Sequence, residues 1–283
     1  MKPAPFDYAA PSSVEAACAL LHEAGGGATL IAGGQTLMPL LNLRMSQPFI
    51  LIDVNRIDGL AGVEDKGQGG MRIGPATRQA DVLTHPLLIE KQPLLVRALG
   101  HVGHHQTRQR GTIGGSIALG EPAAEMPATA VALGARIEIR SHRGMRMVAA
   151  EELYLGPYMT VLEPDEMITA IEYPFWDPAL IPLFGEVARR PGDFALTGLV
   201  GTLAVENGVV ARASLCWFAM GPTPMKARGA EAALIGQPVS AVDADAVAAL
   251  AVADTAPFDD HHASADYSVL SHAEASLKSV RPC

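Results

Sequence analysis

Two short glycine-rich segments carry the residues of this sequence whose types and spacing could do chemistry. The first reads Ala32-Gly33-Gly34-Gln35-Thr36-Leu37, and the second reads Thr112-Ile113-Gly114-Gly115-Ser116. A glycine pair has no Cβ atoms, so consecutive backbone N–H groups can approach a ligand closely and form a concavity that binds anions. Two such loops could hold a pyrophosphate from both sides.

Neither segment carries the signature of a common nucleotide-binding motif. Gly33-Gly34 is not followed by the Gly-Lys-Thr/Ser of a P-loop, and neither segment has the spacing Gly-x-Gly-x-x-Gly. A glycine pair between two elements is also typical of a plain turn. The local chemistry therefore leaves both a phosphate-binding loop and a plain turn open.

The elements around the first segment would place it between a strand and a helix. The sequence predicts a helix that begins at the capping box Ser12-Ser13-Val14-Glu15, a strand over 28–31, a helix over 37–44 and a strand over 49–53. A loop that runs from a strand into a helix can bind a phosphate with its amides and the helix N-terminus. Residues 1 to about 57 thus form a small α/β unit.

The second segment belongs to a second unit, which we predict over residues 58–176. Its expected elements are a strand over 71–74, helical stretches over 80–83 and 94–102, an alanine-rich helix over 121–133, and strands over 135–140 and 167–173. Beyond Asp177 the pattern changes to strands over 196–205 and 209–220, joined by an Asn207-Gly208 hairpin signal and followed by helical segments. We predict an α+β fold with one domain over 1–176 and another over 177–283.

Bulk properties exclude several classes of function. The chain has 283 residues, 49% hydrophobic and 18% charged, which is enough apolar material for folded cores. No apolar run approaches the ~20 residues that span a bilayer, and the first residues lack a signal-peptide pattern, so we expect a cytoplasmic protein. The net charge of −9 disfavours nucleic acid and anionic membranes as partners.

The cysteines and histidines give no pattern that favours a metal. Cys18, Cys216 and Cys283 lie far apart, which excludes a CxxC zinc site or an iron–sulfur cluster held by this chain alone. His101, His104 and His105 cluster without a carboxylate in the same segment, so we favour a role in positioning the following loop. Residues 259–262 (sequence DDHH) are interpreted as a solvated loop or helix cap.

Longer versions of both glycine segments resemble the two FAD loops of the medium subunit of carbon monoxide dehydrogenase and its relatives, in the molybdenum hydroxylase family that includes xanthine dehydrogenase. Residues 32–41 and 51–54 resemble the first loop, and residues 106–116 resemble the second. Residues 186–195 and 262–267 are similar to segments of the family's C-terminal domain. The resemblance covers nearly the whole chain.

That resemblance implies a two-subdomain FAD-binding fold of the PCMH type, followed by a C-terminal domain that closes over one side of FAD. It places the pyrophosphate between the two loops, at Ile31, Ala32, Gly33, Gly34, Gln35, Thr36, Leu37, Thr112, Ile113, Gly114, Gly115 and Ser116. It places the adenosine and ribityl groups near Val102, Glu125 and Leu162, and the isoalloxazine near Phe194. No catalytic or metal-binding residue of the chain's own is implied.

The resemblance also implies partners. A large subunit would hold a molybdenum cofactor, a small subunit would hold two [2Fe-2S] clusters, and the three chains would assemble as a dimer of heterotrimers that passes electrons to an external acceptor. Two alternatives are a free-standing FAD-dependent oxidoreductase and a scaffold that has lost FAD. The sequence departs from the family's usual residues at Thr36, Ser116, Glu121 and Ser268; the first three keep a polar group, so we expect FAD binding to survive.

Overall fold

A computed structural model of the chain describes residues 1–259 and 263–269. Within these residues, three sheets of three, five and four strands follow one another along the sequence, with a short two-stranded hairpin beside them. Helices pack on each sheet. The predicted α+β class is confirmed.

The first sheet is parallel, with the strand order β1-β3-β2. Its elements are β1 (Asp7–Ala9), α1 (Val14–Glu23), β2 (Ala28–Ile31), α2 (Leu37–Asn42) and β3 (Ile50–Asp53). The side chain of Ser13 caps α1 by accepting a hydrogen bond from the N–H of Ala16 at 3.1 Å. The predicted helix is therefore present, but the capping residue is Ser13 and the box that begins at Ser12 does not form.

The second sheet is antiparallel, with the order β4-β5-β10-β6-β7. Its strand β10 is central and pairs with both β5 and β6. The elements of this region are β4 (Val63–Asp65), β5 (Met71–Ile73), α3 (Gln79–Thr84), α4 (Pro86–Lys91), α5 (Pro93–Leu99), α6 (His105–Arg110), α7 (Ile113–Leu119), α8 (Glu125–Ala132), β6 (Arg136–Ser141), β7 (Gly144–Ala149), β8 (Tyr154–Gly156), β9 (Met159–Thr160) and β10 (Met167–Tyr173).

The third sheet is antiparallel, with the order β11-β12-β13-β14. Its elements are β11 (Leu180–Ala188), β12 (Ala195–Glu206), β13 (Val209–Phe218), β14 (Met225–Lys226), α9 (Arg228–Leu234) and α10 (Ala244–Ala253). Asn207 and Gly208 both have positive φ, 51° and 77°, as a two-residue hairpin turn between twisted strands requires. The predicted hairpin is confirmed, and a third predicted helix falls partly outside the described residues.

Helix α8 joins the second region to the third sheet. All of its residues are buried, and it packs against α5 on one side and against β12 and β13 on the other. Four of its residues have small or short side chains, namely its three alanines and Thr129 (sequence EMPATAVA), so the helix backbone can approach both neighbours closely. The end of α8 that carries Glu125 is thereby held next to the glycine segments.

Candidate cofactor-binding site

A cavity of about 540 Å³ lies where the first two regions meet. This volume falls in the range of ~300–1,000 Å³ that is usual for small-molecule and cofactor sites. The sequence-predicted residues that line it are Ile31, Ala32, Gly33, Gly34, Gln35, Thr36, Leu37, Val102, Thr112, Gly114, Gly115, Ser116, Glu125 and Phe194.

Two predicted residues do not line the cavity. The side chain of Ile113 is fully buried in the core of the second region, and Leu162 is partly buried against the same core. Ile113 is the first residue of α7, and its side chain turns inward while the backbone of the loop faces the cavity. A direct contact of these two side chains with FAD stays a prediction that the cavity lining does not support.

The first glycine segment, residues 32–36, connects β2 to α2 at the carboxyl edge of the parallel sheet, where open α/β sheets bind ligands. Gly34 has φ of +68°, a conformation that glycine adopts without strain. Among the described residues, the N–H groups of Gly33, Gly34 and Gln35 have no hydrogen-bond acceptor. Three unsatisfied donors beside a cavity are suited to the oxygens of a phosphate.

Gly33 also contacts the second glycine segment. A methyl group at this position would lie 2.4 Å from the carbonyl oxygen of Arg110 and 2.8 Å from Cα of Gly111. Real Cβ atoms do not approach other atoms so closely. Glycine at position 33 therefore lets the two segments come into direct backbone contact.

The second glycine segment, residues 111–116, enters α7 in a different way. Thr112 is the N-cap of α7, and its hydroxyl oxygen accepts a hydrogen bond from the N–H of Gly115 at 3.0 Å. The neighbouring amides are used as well: Ile113 donates to the carbonyl of Thr77 at 3.1 Å, and Gly114 donates to the carbonyl of Pro75 at 2.9 Å. The expectation that both loops offer their amides is thus met by the first loop, while the second presents its exposed Gly115 backbone and the Ser116 side chain.

Glu125 contributes a carboxyl group whose charge is altered by its surroundings. Burial raises the pKa of Glu125 to about 8, and the negative charge of Glu186 adds to the rise. The carboxyl is therefore protonated at neutral pH. A protonated carboxyl can donate a hydrogen bond as well as accept one, so Glu125 can bind a hydroxyl or a ring nitrogen without adding charge.

Gln79 is a cavity residue that sequence reasoning did not find. It lies at the start of α3, is 4% exposed, and its Oε1 atom has no hydrogen-bond partner among the described residues. A buried amide oxygen without a partner costs free energy unless a ligand or water supplies a donor. Nothing in the local sequence marks this residue, because its place at the cavity comes from the packing of α3 against α6.

The loop between β11 and β12 forms the outer rim. Gly192, Asp193 and Phe194 line the cavity, and the Phe194 side chain is 63% exposed. A methyl group at Gly192 would lie 2.3 Å from Nδ1 of His104, so the loop rests directly on that imidazole. This contact is with the loop between β11 and β12, so the expected role of the histidines in positioning the loop that follows them stays a prediction. An exposed aromatic ring at the rim is placed where a flat ring system in the cavity would meet solvent.

The three clustered histidines line one cavity of about 380 Å³ together with Glu186, but they are not found as a group whose possible ligand atoms lie within 4.8 Å of one another. His101 packs its ring 4.5 Å from that of Phe184 and lies 3.6 Å from Oε2 of Glu186, and burial lowers the pKa of His101. His105 faces Gln109 at 3.4 Å. Each of the three imidazoles thus has a different neighbour. Of residues 259–262, the structure describes Asp259 alone, which accepts a hydrogen bond from the N–H of Ala265.

A different group of possible metal ligands is found at His22, His142 and Asp165. The two imidazoles are stacked, with centroids 3.6 Å apart and planes inclined by 29°, so their in-plane lone pairs cannot meet at one ion without rotation. Asp165 Oδ2 lies 3.0 Å from Nδ1 of His142 and forms an ion pair with Nη1 of Arg143 at 2.9 Å. This geometry is that of an ion-pair network.

The donor set of the cavity fits a dinucleotide cofactor. Free amides in the first loop suit a phosphate, the unpartnered Gln79 oxygen suits an N–H or O–H donor, and the protonated Glu125 suits a polar group of the nucleoside. Of the cysteines that the structure describes, Cys18 and Cys216, neither lines the cavity, and both are buried elsewhere. Within the described part of the chain, no helix has both the length and the apolar character needed to cross a membrane.

These features define the class. Residues 4–176 match the family model of the FAD binding domain in molybdopterin dehydrogenase, and residues 183–274 match that of the carbon monoxide dehydrogenase flavoprotein C-terminal domain. The chain belongs to the family of FAD-binding medium subunits of molybdenum hydroxylases, and it is an oxidoreductase subunit whose own cofactor is FAD.

Individual relatives agree with this assignment. The chain is 38% identical to the 6-hydroxypseudooxynicotine dehydrogenase complex subunit alpha of Paenarthrobacter nicotinovorans, over 94% of this chain and 90% of that one. It is 34% identical to the carbon monoxide dehydrogenase medium chain of Hydrogenophaga pseudoflava, over 94% and 93%. A solved carbon monoxide dehydrogenase from Hydrogenophaga pseudoflava, lacking the Mo-pyranopterin moiety, superposes with a TM-score of 0.95 at 35% identity, covering 99% of this chain and 97% of that one.

Proposed function

We propose that this chain is the FAD-carrying, electron-transfer subunit of a heterotrimeric molybdenum hydroxylase. It takes electrons from the [2Fe-2S] clusters of a small partner subunit and passes them to an external acceptor, while a large subunit with the molybdenum cofactor oxidises the substrate. The complex is a cytoplasmic dimer of heterotrimers. The observation that carries this proposal is the convergence of both glycine segments and Phe194 on one cavity in a chain of this family.

FAD, when bound, supplies a carrier that exchanges electrons either singly or in pairs. The first loop would bind the pyrophosphate through the amides of Gly33, Gly34 and Gln35, and the second loop would close the other side. Val102 and Glu125 would line the nucleoside and ribityl region, and Phe194 would lie near the isoalloxazine. The FAD-binding domain would cover residues 1–176, with subdomains over 1–57 and 58–176, and the C-terminal domain would cover 177–283.

The alternative is a free-standing FAD-dependent oxidoreductase. That function needs a substrate pocket and an acid or base aimed at the flavin. The second cavity, of about 380 Å³, is lined by His101, Glu186 and Arg108 among others, yet it lies at the junction of the two domains and not over Phe194. The medium-subunit function is therefore the better supported of the two.

The test is purification of the protein from its native host, with visible absorption and identification of the chains that purify with it. We expect flavin bands over iron–sulfur absorbance, two further chains, and bleaching when the substrate of the complex is added. A single chain that carries flavin and oxidises a substrate unaided would favour the alternative. Absence of flavin even after incubation with FAD would contradict both functions.

A further inference from the structure

The two glycine segments belong to different sheets, so something must fix the distance between them. The first segment leaves β2 of the parallel sheet, and the second leads into α7 beside the antiparallel sheet. A pyrophosphate held between them would bind tightly only if that distance is set before binding, because ordering the loops at the moment of binding would weaken affinity. The contacts between the two segments therefore bear on how tightly a pyrophosphate would bind.

Asn55 holds the first segment. It follows β3, next to the end of β2, and its Nδ2 atom donates to the carbonyl oxygen of Ala32 at 2.9 Å. Asp53 orients Asn55 by accepting from its backbone N–H at 2.8 Å and from its Nδ2 at 2.6 Å. The hydroxyl of Tyr8 donates in turn to Asp53 at 2.7 Å. The Asn55 amide is thus held with its oxygen pointing away from Ala32.

Arg78 holds the second segment and joins it to the first. Its Nη1 atom donates to the carbonyl oxygen of Arg110 at 2.5 Å, and its Nη2 atom donates to Oδ1 of Asn55 at 2.7 Å. The carbonyl of Arg110 is also the atom against which Gly33 lies. One guanidinium therefore connects the carbonyl at the start of the second loop to the amide that holds the first.

We propose that Asn55 and Arg78 form a clamp that sets the separation of the two glycine loops and so preorganises the pyrophosphate site. The inference rests on the proposed function, since it assigns these residues a role in binding FAD. Neither residue lines the cavity, so both are positioning residues. A planar guanidinium with two donors in a fixed fork can bridge two acceptors in this way, whereas the single ammonium of a lysine is a point donor.

The test measures FAD affinity of the full-length apoprotein by quenching of flavin fluorescence. Arg78→Ala and Asn55→Ala should each raise the Kd about tenfold, because each change breaks the charge-assisted hydrogen bond between the two side chains together with a bond to a loop carbonyl. The double variant should bind about as weakly as either single variant, because each change removes the same bridge. Arg212→Ala, which removes an exposed ion pair with Asp177 in the third region, is the matched control and should leave the Kd unchanged.

Two further measurements separate positioning from general stability or charge. The ³¹P resonances of bound FAD should shift in Arg78→Ala, while the unfolding midpoint of the apoprotein stays close to that of the wild type. Arg78→Lys keeps the positive charge but should not restore affinity. Full recovery in Arg78→Lys, or additive losses in the double variant, would overturn the clamp. Unchanged Kd in all variants would overturn the clamp alone, whereas a wild-type chain that binds no FAD would overturn the proposed function and the clamp together.

Discussion

The two glycine segments look alike in the sequence and differ in the structure. In the first, the amides of three consecutive cavity-lining residues have no acceptor among the described residues, and the side chain of Asn55 holds the loop by a hydrogen bond to Ala32. In the second, the amides are already used by Thr112, Thr77 and Pro75. The first loop therefore has amide donors left for a ligand, whereas those of the second loop are used in hydrogen bonds within the protein.

The glycines within each pair also differ. Gly33 and Gly114 are glycine for steric reasons, because a methyl group would meet the backbone of Arg110 in one case and Pro75 in the other. Gly34 is glycine because of its positive φ, and Gly115 lies exposed at the cavity. A Gly-Gly pair at a ligand loop can thus combine one close contact with one open position, and the four positions should respond differently to substitution.

The largest effect is expected at the second loop. In Gly114→Ala, the new methyl group would lie 2.2 Å from Cβ and 2.6 Å from Cα of Pro75, and neither atom can move without the backbone. We expect the free energy of unfolding of the apoprotein to fall by about 3 kcal/mol, at the upper end for overpacking. Urea unfolding of the apoprotein measures this loss of free energy. Gly115→Ala, whose nearest contact is the Thr112 hydroxyl at 2.9 Å, is the matched control and should lose much less.

The pH dependence of stability should have opposite signs on the two sides of the cavity. Glu125 has a pKa raised to about 8, so the folded state keeps a proton that the unfolded chain releases above pH 4.5. Stability should therefore fall as pH rises from 5 to 8, by about 2 kcal/mol, since a tenfold change in a proton equilibrium is worth about 1.4 kcal/mol and water in the cavity screens a part.

Near the first loop, burial of Asp53 is outweighed by hydrogen bonds from Tyr8 and Asn55, which lower its pKa. A lowered pKa gives stability that is present above the ordinary value of the carboxyl and lost as pH falls below it. Glu125→Gln should flatten the profile between pH 5 and 8, and Asp53→Asn should flatten it below pH 4. A Glu125→Gln profile parallel to that of the wild type would contradict the assigned protonation.

The conformation of the first loop predicts an effect of intermediate size. Gly34→Ala forces an L-residue into φ of +68°, which should cost about 1.5 kcal/mol. Gly34→Asn should cost less than Gly34→Ala, because asparagine tolerates the left-handed region. Equal losses for the two variants, measured by urea unfolding, would show that the contact with Met38 at 3.2 Å dominates and not φ.

The smallest expected change in stability concerns the N-cap residues of α7 and α2. Thr112→Val removes the hydroxyl that caps α7 and should cost about 1 kcal/mol. Thr36 occupies the corresponding N-cap of α2 but its side chain makes no capping bond, so Thr36→Val should change stability by no more than about 0.5 kcal/mol. Thermal unfolding of both variants checks the difference, and similar losses would mean that the two loops are more alike than their hydrogen bonds indicate.

Much of this fold could be predicted from the sequence where a pattern is local. Strand β2 and strand β10 have the predicted bounds, because a buried run and an alternating run are clear signals over a few residues. Helix α7 was missed because its first turn contains Gly114-Gly115, which a propensity argument assigns to a loop. Strand β11 was missed because it contains Pro182. An edge strand such as β11 tolerates a proline, but a proline interrupts the pattern by which a strand is recognised in the sequence.

Site residues could be predicted where they line the cavity and belong to a segment that is recognisable in the sequence. Gln79, Asn55 and Arg78 could not be found, because their roles depend on partners brought together by tertiary packing. Arg78 reaches Asn55 and the carbonyl of Arg110, which lie before and after it in the sequence on separate elements. Such contacts leave no pattern in the local spacing of residues, so the glycine loops could be recognised in the sequence and the residues that connect them could not.

The central position of β10 has a consequence for how the protein is made. Strand β10 supplies the partner of β5, which was synthesised about 100 residues earlier, and it also carries the cavity residues Met167 and Ile168. A nascent chain that has emerged from the ribosome only as far as β7 already contains both glycine loops, but the sheet beside them lacks its middle strand. The lining also includes Phe194, so the cavity cannot be complete before that residue is available, and we expect the cofactor to be acquired late in synthesis or after it.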